Sequence, residues 1–311
     1  MRIAVLGLGL IGGSLAQALH PAHDVVGFDV DSATREAAAA WGLRVDAGWQ
    51  DVDLVVLAAS VPVNNELLRT VPPHVLVTDV GSVKQPLVDC WNALSDRPAL
   101  VPGHPMAGAD TAGWDAARPD LFQDARWVLC PGEWSSAAQW LAVAELVLSL
   151  GAVVVPAHPE EHDDAAAAIS HVPHIVASVL SAHASRPLAR SLAANSFRDL
   201  TRVTGSPPAR TAEFCFANRD SAAMVLREVR EALDDVIHGF ELGDADPLTH
   251  LLEAGHAARH DLDRSRVQTA DGTVELRPDD RDWSAPLIEI ASAGGVVVGV
   301  SGLVLNTRRP A

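Results

Sequence analysis

The run Arg2-Ile3-Ala4-Val5-Leu6-Gly7-Leu8-Gly9-Leu10-Ile11-Gly12 constrains this chain more than any other segment. A β-branched, apolar strand leads into a GxGxxG turn, and a helix pattern follows at once, which is the context a dinucleotide site requires. Each glycine then has a reason: Gly7 permits the tight turn, Gly9 lets backbone approach a pyrophosphate, and Gly12 allows close helix–strand packing. Leu10 and Ile11 open the helix, whose free N–H groups face the phosphates. Asp29 closes the second apolar run, where a carboxylate accepts from the adenine ribose hydroxyls and repels a 2′-phosphate. NAD is therefore expected over NADP, with Arg35 on the next helix the nearby cation that could oppose that preference.

From Arg2 to about Ala157 short β-branched runs alternate with Ala- and Leu-rich stretches of helix length: IAVLGLG, DVVGFDV, LVVLAAS, VLVTDVGS, ALVPGHP, WVLC and AVVVPA. Apolar strands with little alternation, separated by helices, indicate a parallel sheet covered on both faces, so 1–158 reads as a doubly wound α/β domain. Beyond Pro159 the β-type runs stop. Helical segments follow at roughly 160–186, 187–203, 209–242 and 246–266, making 159–266 an all-helical domain. A polar stretch from Arg264 to Asp282, a short helix near Trp283 to Ala293 and a Gly/Val-rich strand make up a C-terminal extension, 267–311, with no assigned role.

The net charge of −17 argues against nucleic acid or an anionic membrane as partner, because such binding draws on Lys and Arg to release counterions. Cys90, Cys130 and Cys215 are widely spaced with no CxxC, so neither a disulfide framework nor a zinc site is expected and a reducing cytoplasm fits. The first strand begins at Arg2, leaving no room for a signal peptide. Pro286 to Leu305 is apolar, yet it carries Glu289 and no aromatic belt, so no membrane span is expected.

Residues just beyond strand ends are the first candidates for chemistry in such a sheet. In Asp79-Val80-Gly81-Ser82-Val83-Lys84, Ser82 is either a helix N-cap or a hydroxyl at the site, and Lys84 is the only lysine in the chain. In Gly103-His104-Pro105-Met106-Ala107-Gly108, Pro105 biases His104 toward extended backbone, and the imidazole can take a proton near neutral pH. In the helical half, His171 and His174 share a face if helix persists through Pro173. Asp199 and Arg202 have the same spacing and either pair together or leave Arg202 or Arg198 to grip a carboxylate. His162, Asp163, His171 and His174 also raise a metal reading, which no HExxH spacing or cysteine supports; no metal is expected.

The motifs GLGLIGGS, DVGSVK, GHPMAG, EHDDAAAAISHVPH and FRDLTRV, in this order, resemble the prephenate/arogenate dehydrogenases, from Arg2 to about Arg266. The resemblance implies oxidative decarboxylation of a cyclohexadienol in tyrosine biosynthesis and a homodimer formed through the helical domain. It implies His104 as the residue bonded to the C4 hydroxyl with Ser82 assisting, His174 placing the substrate with His171 nearby, and Arg202 binding a substrate carboxylate. Asp110 stands where many relatives have glutamate, which puts a substrate-selecting role there in question. Two other readings fit the dinucleotide site: a β-hydroxyacid-type dehydrogenase, whose catalytic lysine in the helical half is missing here, and a non-catalytic NAD(H) sensor.

Overall fold

The computed structural model describes residues 1–311 except 46, 47, 49, 50, 110, 268, 281 and 311, with backbone alone at 265–267. Six strands form the first sheet, β1 (Arg2–Leu6), β2 (Asp24–Phe28), β3 (Arg44–Val45), β4 (Leu54–Leu57), β5 (Leu76–Asp79) and β6 (Leu100–Val101). Their order is β3-β2-β1-β4-β5-β6, and every pairing is parallel. The order reverses between β1 and β4, so a crevice opens beyond their carboxyl ends, over the glycine turn.

The near-continuous apolar runs are explained by two cores. Ile3 and Val5 of β1, with Leu54 and Val56 of β4, enter one cluster. The alternate residues Ala4, Leu6, Val55 and Leu57 enter the other, so both faces of the sheet are covered. Helices α1 (Leu10–Leu19), α2 (Ser32–Trp41), α3 (Val61–Leu68), α4 (Gln85–Asn92) and α5 (Ala137–Ser149) complete the layers.

The later strands do not extend the parallel sheet, as the sequence reading expected, but begin a second one. Pro102, which has no N–H to give a ladder, separates β6 from β7 (Gly103–Pro105). β7 then runs antiparallel to β8 (Arg126–Leu129), which pairs parallel with β9 (Val153–Pro156). The C-terminal extension completes this sheet with β10 (Thr269–Glu275), β11 (Val296–Ser301) and β12 (Val304–Pro310), in the order β10-β12-β11-β9-β8-β7. Leu276, Leu287, Ile290, Val297 and Leu305 of the extension enter the first core cluster, so the tail is built into the nucleotide-binding half.

The helical half comprises α6 (Pro159–Ala166), a π-helical turn at Ala167–His171, α7 (Val172–His183), α8 (Pro187–Leu192), α9 (Asn195–Thr201), α10 (Pro208–Ala217), α11 (Arg219–Leu242) and α12 (Asp246–Val267). Helix does persist through Pro173, because the π-helical turn at Ala167–His171 directly before it rearranges the hydrogen-bond ladder where the proline has no N–H to give. Among the described residues, Pro159–His183 is the one helix long and apolar enough to cross a membrane by length and composition. It buries His162, Asp163 and His171 against the rest of the protein. Pro286 to Leu305 folds instead as most of α13 (Ala285–Ser292), a glycine turn, β11 and the start of β12.

Candidate active site

The glycine turn has the geometry its sequence demands. Gly7 sits at φ +104°, and a Cβ on Gly12 would lie 1.9 Å from the Gly7 carbonyl oxygen. Around a Cβ on Gly9 there is open space within 4 Å, and α1 carries no side-chain cap at Gly9. The residues present therefore fit a dinucleotide: a helix start with free N–H groups and a glycine surface that a pyrophosphate can approach. Asp29 anchors the edge of the site, its carboxylate accepting from the N–H of Leu8 at 2.8 Å and of Asp31 at 2.9 Å. Each oxygen keeps lone-pair capacity for a ribose hydroxyl. The guanidinium of Arg35 donates to the carbonyls of Asp29 and Val30 at 2.6 and 3.0 Å.

A cavity of about 310 Å³ lies over this turn, bounded by Gly9, Leu10, Ile11, Gly81 and Ser82. A second, of about 400 Å³, is lined by Ser82, His104, His171, His174, Arg202 and Arg210, among others. The two meet at Ser82, Arg210 and Phe214, which line both. His104 and Arg202, nearly a hundred positions apart, thus face one space beside the nucleotide cavity. The N-cap of α4 is Lys84, so Ser82 stands free of that task at the junction.

His104 is held from behind. Its Nδ1 lies 2.8 Å from Nε2 of His162, whose Nδ1 lies 2.7 Å from Oδ1 of Asp163. Asp163 also accepts from the backbone N–H of Lys84 and Gln85, both at 2.8 Å, capping α4 from another domain. Burial above all, with the competing imidazoles of His162 and His171 and the Lys84 ammonium close by, holds the His104 imidazole well below the ordinary histidine pKa. It is neutral at physiological pH and able to accept a proton. The ammonium of Lys84 is fully buried, bonded to the Asp79 carboxylate and, at 2.6 Å, to the carbonyl of Gly103. That lysine ties the end of β5 to the residue preceding His104.

The other imidazoles are fixed as well. Asn218 donates from Nδ2 to the Asp163 carbonyl at 2.6 Å and to Nδ1 of His171 at 3.1 Å. His171 therefore carries its proton on Nε2, as a donor. Burial lowers its pKa to about 4, against a partial rise from Asp163. His174 donates from Nδ1 to the Ser170 carbonyl at 2.8 Å, leaving Nε2 as acceptor. Phe214 packs on both rings, with centroids 5.0 and 5.4 Å away.

Of the expected site residues, Gly7, Gly9, Leu10, Ile11, Gly12 and Asp29 surround the turn, while Ser82, His104, His171, His174 and Arg202 converge on the second cavity. Asp199 does not join them. It is exposed on α9, outside the residues lining the cavity, because its helix turns that position to solvent. Asp110 lies outside the described residues. Arg210, Phe214 and Asn218 were not singled out from sequence, since an Arg, a Phe and an Asn on a helix carry no local signature. His162 and Asp163 are spent on hydrogen bonds, and among the described residues no group of three His, Cys, Asp or Glu side chains could hold a metal.

A parallel-sheet dinucleotide cleft joined to a cavity with a neutral imidazole and arginines defines a two-domain, dinucleotide-dependent oxidoreductase acting on an anionic substrate. Residues 12–156 match the nucleotide-binding domain of prephenate dehydrogenase and residues 158–254 its dimerization domain. The chain belongs to the prephenate/arogenate dehydrogenase family, enzymes of tyrosine biosynthesis. It is 32% identical to a prephenate dehydrogenase of Bacillus subtilis, over 93% of this chain and 84% of that one. A solved Corynebacterium glutamicum chain superposes with a TM-score of 0.84 at 32% identity, covering 94% of this chain and 97% of the other. The prephenate dehydrogenase of Aquifex aeolicus, solved with hydroxyphenyl propionate and NAD+, shares the fold with a TM-score of 0.74 at 23% identity, covering 84% and 98%.

Proposed function

We propose that the chain carries out the NAD-dependent oxidative decarboxylation of prephenate or arogenate, with His104 as proton acceptor. What supports this above all is the single cavity that His104 and Arg202 line beside the glycine turn. Bound NAD would take the hydride released at the ring C4. The neutral His104 imidazole takes the proton of the C4 hydroxyl, so a carbonyl conjugated to the ring forms. The ring carboxylate then leaves as carbon dioxide, its electron pair flows to the oxygen at C4, and His104 returns the proton there as the ring becomes aromatic. Ser82, at the junction of the two cavities, assists at the same hydroxyl. Arg202 pairs with a substrate carboxylate and the His171 N–H adds a donor, while His174 places the ring.

NAD rather than NADP follows from Asp29 and from Arg35, whose guanidinium is engaged by main-chain carbonyls. Two copies pair through the helical half, where Phe216, Ile237, Phe240 and Leu252 leave large apolar surfaces exposed. Three free thiols suit the cytoplasm. The deciding experiment gives purified protein prephenate, then arogenate, each with NAD and NADP, and follows the absorbance of reduced cofactor. Turnover of one or both with NAD is expected. Cofactor binding with turnover of neither would overturn the reading in favour of a sensor.

A further inference from the structure

We infer that His162 and Asp163 are positioning residues that fix His104 as the tautomer whose bare Nε2 faces the substrate and that stabilise the imidazolium formed when it takes a proton. The inference rests on the reading of His104 as the base.

The hydrogen-bond directions are set from the Asp163 end. Asp163 is a carboxylate capping α4, accepting from two backbone N–H groups, so it has no proton to give and the 2.7 Å contact requires His162 to donate from Nδ1. A neutral His162 then has a bare Nε2. Across the 2.8 Å contact His104 must donate from Nδ1, which leaves its own Nε2 unprotonated. A cationic His162 would reverse that last bond and leave His104 with an Nε2–H, so the tautomer of His104 distinguishes the two directions. His104 lines the substrate cavity while its Nδ1 is occupied behind, so the bare nitrogen is the one available to substrate.

The arrangement does two things. It excludes the tautomer that would present an N–H to a hydroxyl proton, and it supplies an acceptor, backed by a carboxylate, when His104 becomes positive. That is the task of the third member in a nucleophile–base–carboxylate triad, here with an extra imidazole in the line. The two ring planes stand at 79° with centroids 5.1 Å apart, so the rings meet through their nitrogens at 2.8 Å and are not stacked. His162 comes from the helical half and His104 from the nucleotide-binding half, so the base is oriented only when the halves are docked.

The test has a structural and a kinetic arm. Nitrogen-15 spectra of histidine side chains in the ligand-free protein, assigned with His104→Asn and His162→Leu, should show His104 and His162 both as Nδ1–H tautomers at pH 7.5. His162→Leu should lower kcat by about 10–100-fold, with substrate KM and NAD affinity within about threefold and an unchanged melting temperature or a modest drop. His162→Gln, whose amide oxygen can accept from His104, should recover most of kcat. An Nε2–H tautomer at His104, wild-type kcat in His162→Leu, or a Gln variant as impaired as Leu would each overturn the inference. His104→Asn with wild-type turnover would instead defeat the base assignment, so the two failures are distinguishable.

Discussion

Replacing Lys84 with methionine isolates the contribution of the only lysine. Its ammonium and the Asp79 carboxylate are 0% and 2% exposed, and methionine fills a similar volume without charge. The substitution leaves Asp79 with the N–H groups of Gly81 and Gly103, at 2.8 and 2.9 Å, and takes from the Gly103 carbonyl its 2.6 Å donor. Breaking a buried pair on one side costs about 3–5 kcal/mol. The variant can limit that loss by protonating the orphaned carboxyl, which at pH 7 costs about 4 kcal/mol for a group that ordinarily ionises near pH 4. A loss of about 3–4 kcal/mol is therefore expected, within the usual stability of a folded domain. The sign of its pH dependence follows. A carboxyl protonated when folded and ionised when unfolded costs most at neutral pH, so the gap to wild type should narrow as pH falls toward 4. Urea unfolding followed by tryptophan fluorescence at pH 7.5 and pH 5 measures both. A loss below 1 kcal/mol, or one that does not change with pH, would refute the reasoning.

His104→Asn should lower kcat by about 10²–10⁴ with little change in NAD affinity, and steady-state rates beside a binding titration check it. Arg202→Ala should chiefly raise substrate KM, as loss of a contact made equally in ground and transition states does, and an unchanged KM would remove Arg202 from the site. Gly12→Ala puts a methyl 1.9 Å from the Gly7 carbonyl oxygen, so it should cost about 1–3 kcal/mol or more in unfolding and weaken NAD binding at least tenfold, read by calorimetry. The acid limb of kcat/KM should fall well below pH 6.5, because the free enzyme's His104 is lowered by burial and activity is lost only as that group protonates. His171 adds a matching stability effect: with its folded pKa lowered to about 4, stability should fall as pH drops from 6.5 toward 4, seen as a declining Tm.

The sequence by itself determined what depends on near neighbours in the chain. The strand–turn–helix around Gly7, Gly9 and Gly12, the acid at Asp29 and the extended backbone of His104 before Pro105 are set by local sterics and spacing, and the structure keeps them. The change from strands to helices after Pro159 was legible for the same reason, since period and propensity are local properties. Tertiary structure decided the rest. β10 has hardly a buried residue along Thr269–Glu275, so no alternation announced it; it is a strand because β12 supplies hydrogen bonds beside it. The exposed position of Asp199, the arrival of Arg210 and Phe214 at the junction, and the bond from His104 to His162 across 58 residues depend on how helices dock onto a sheet. Docking is fixed by side-chain packing summed over whole faces, and no spacing along the chain records which distant imidazole will stand behind the one that reacts.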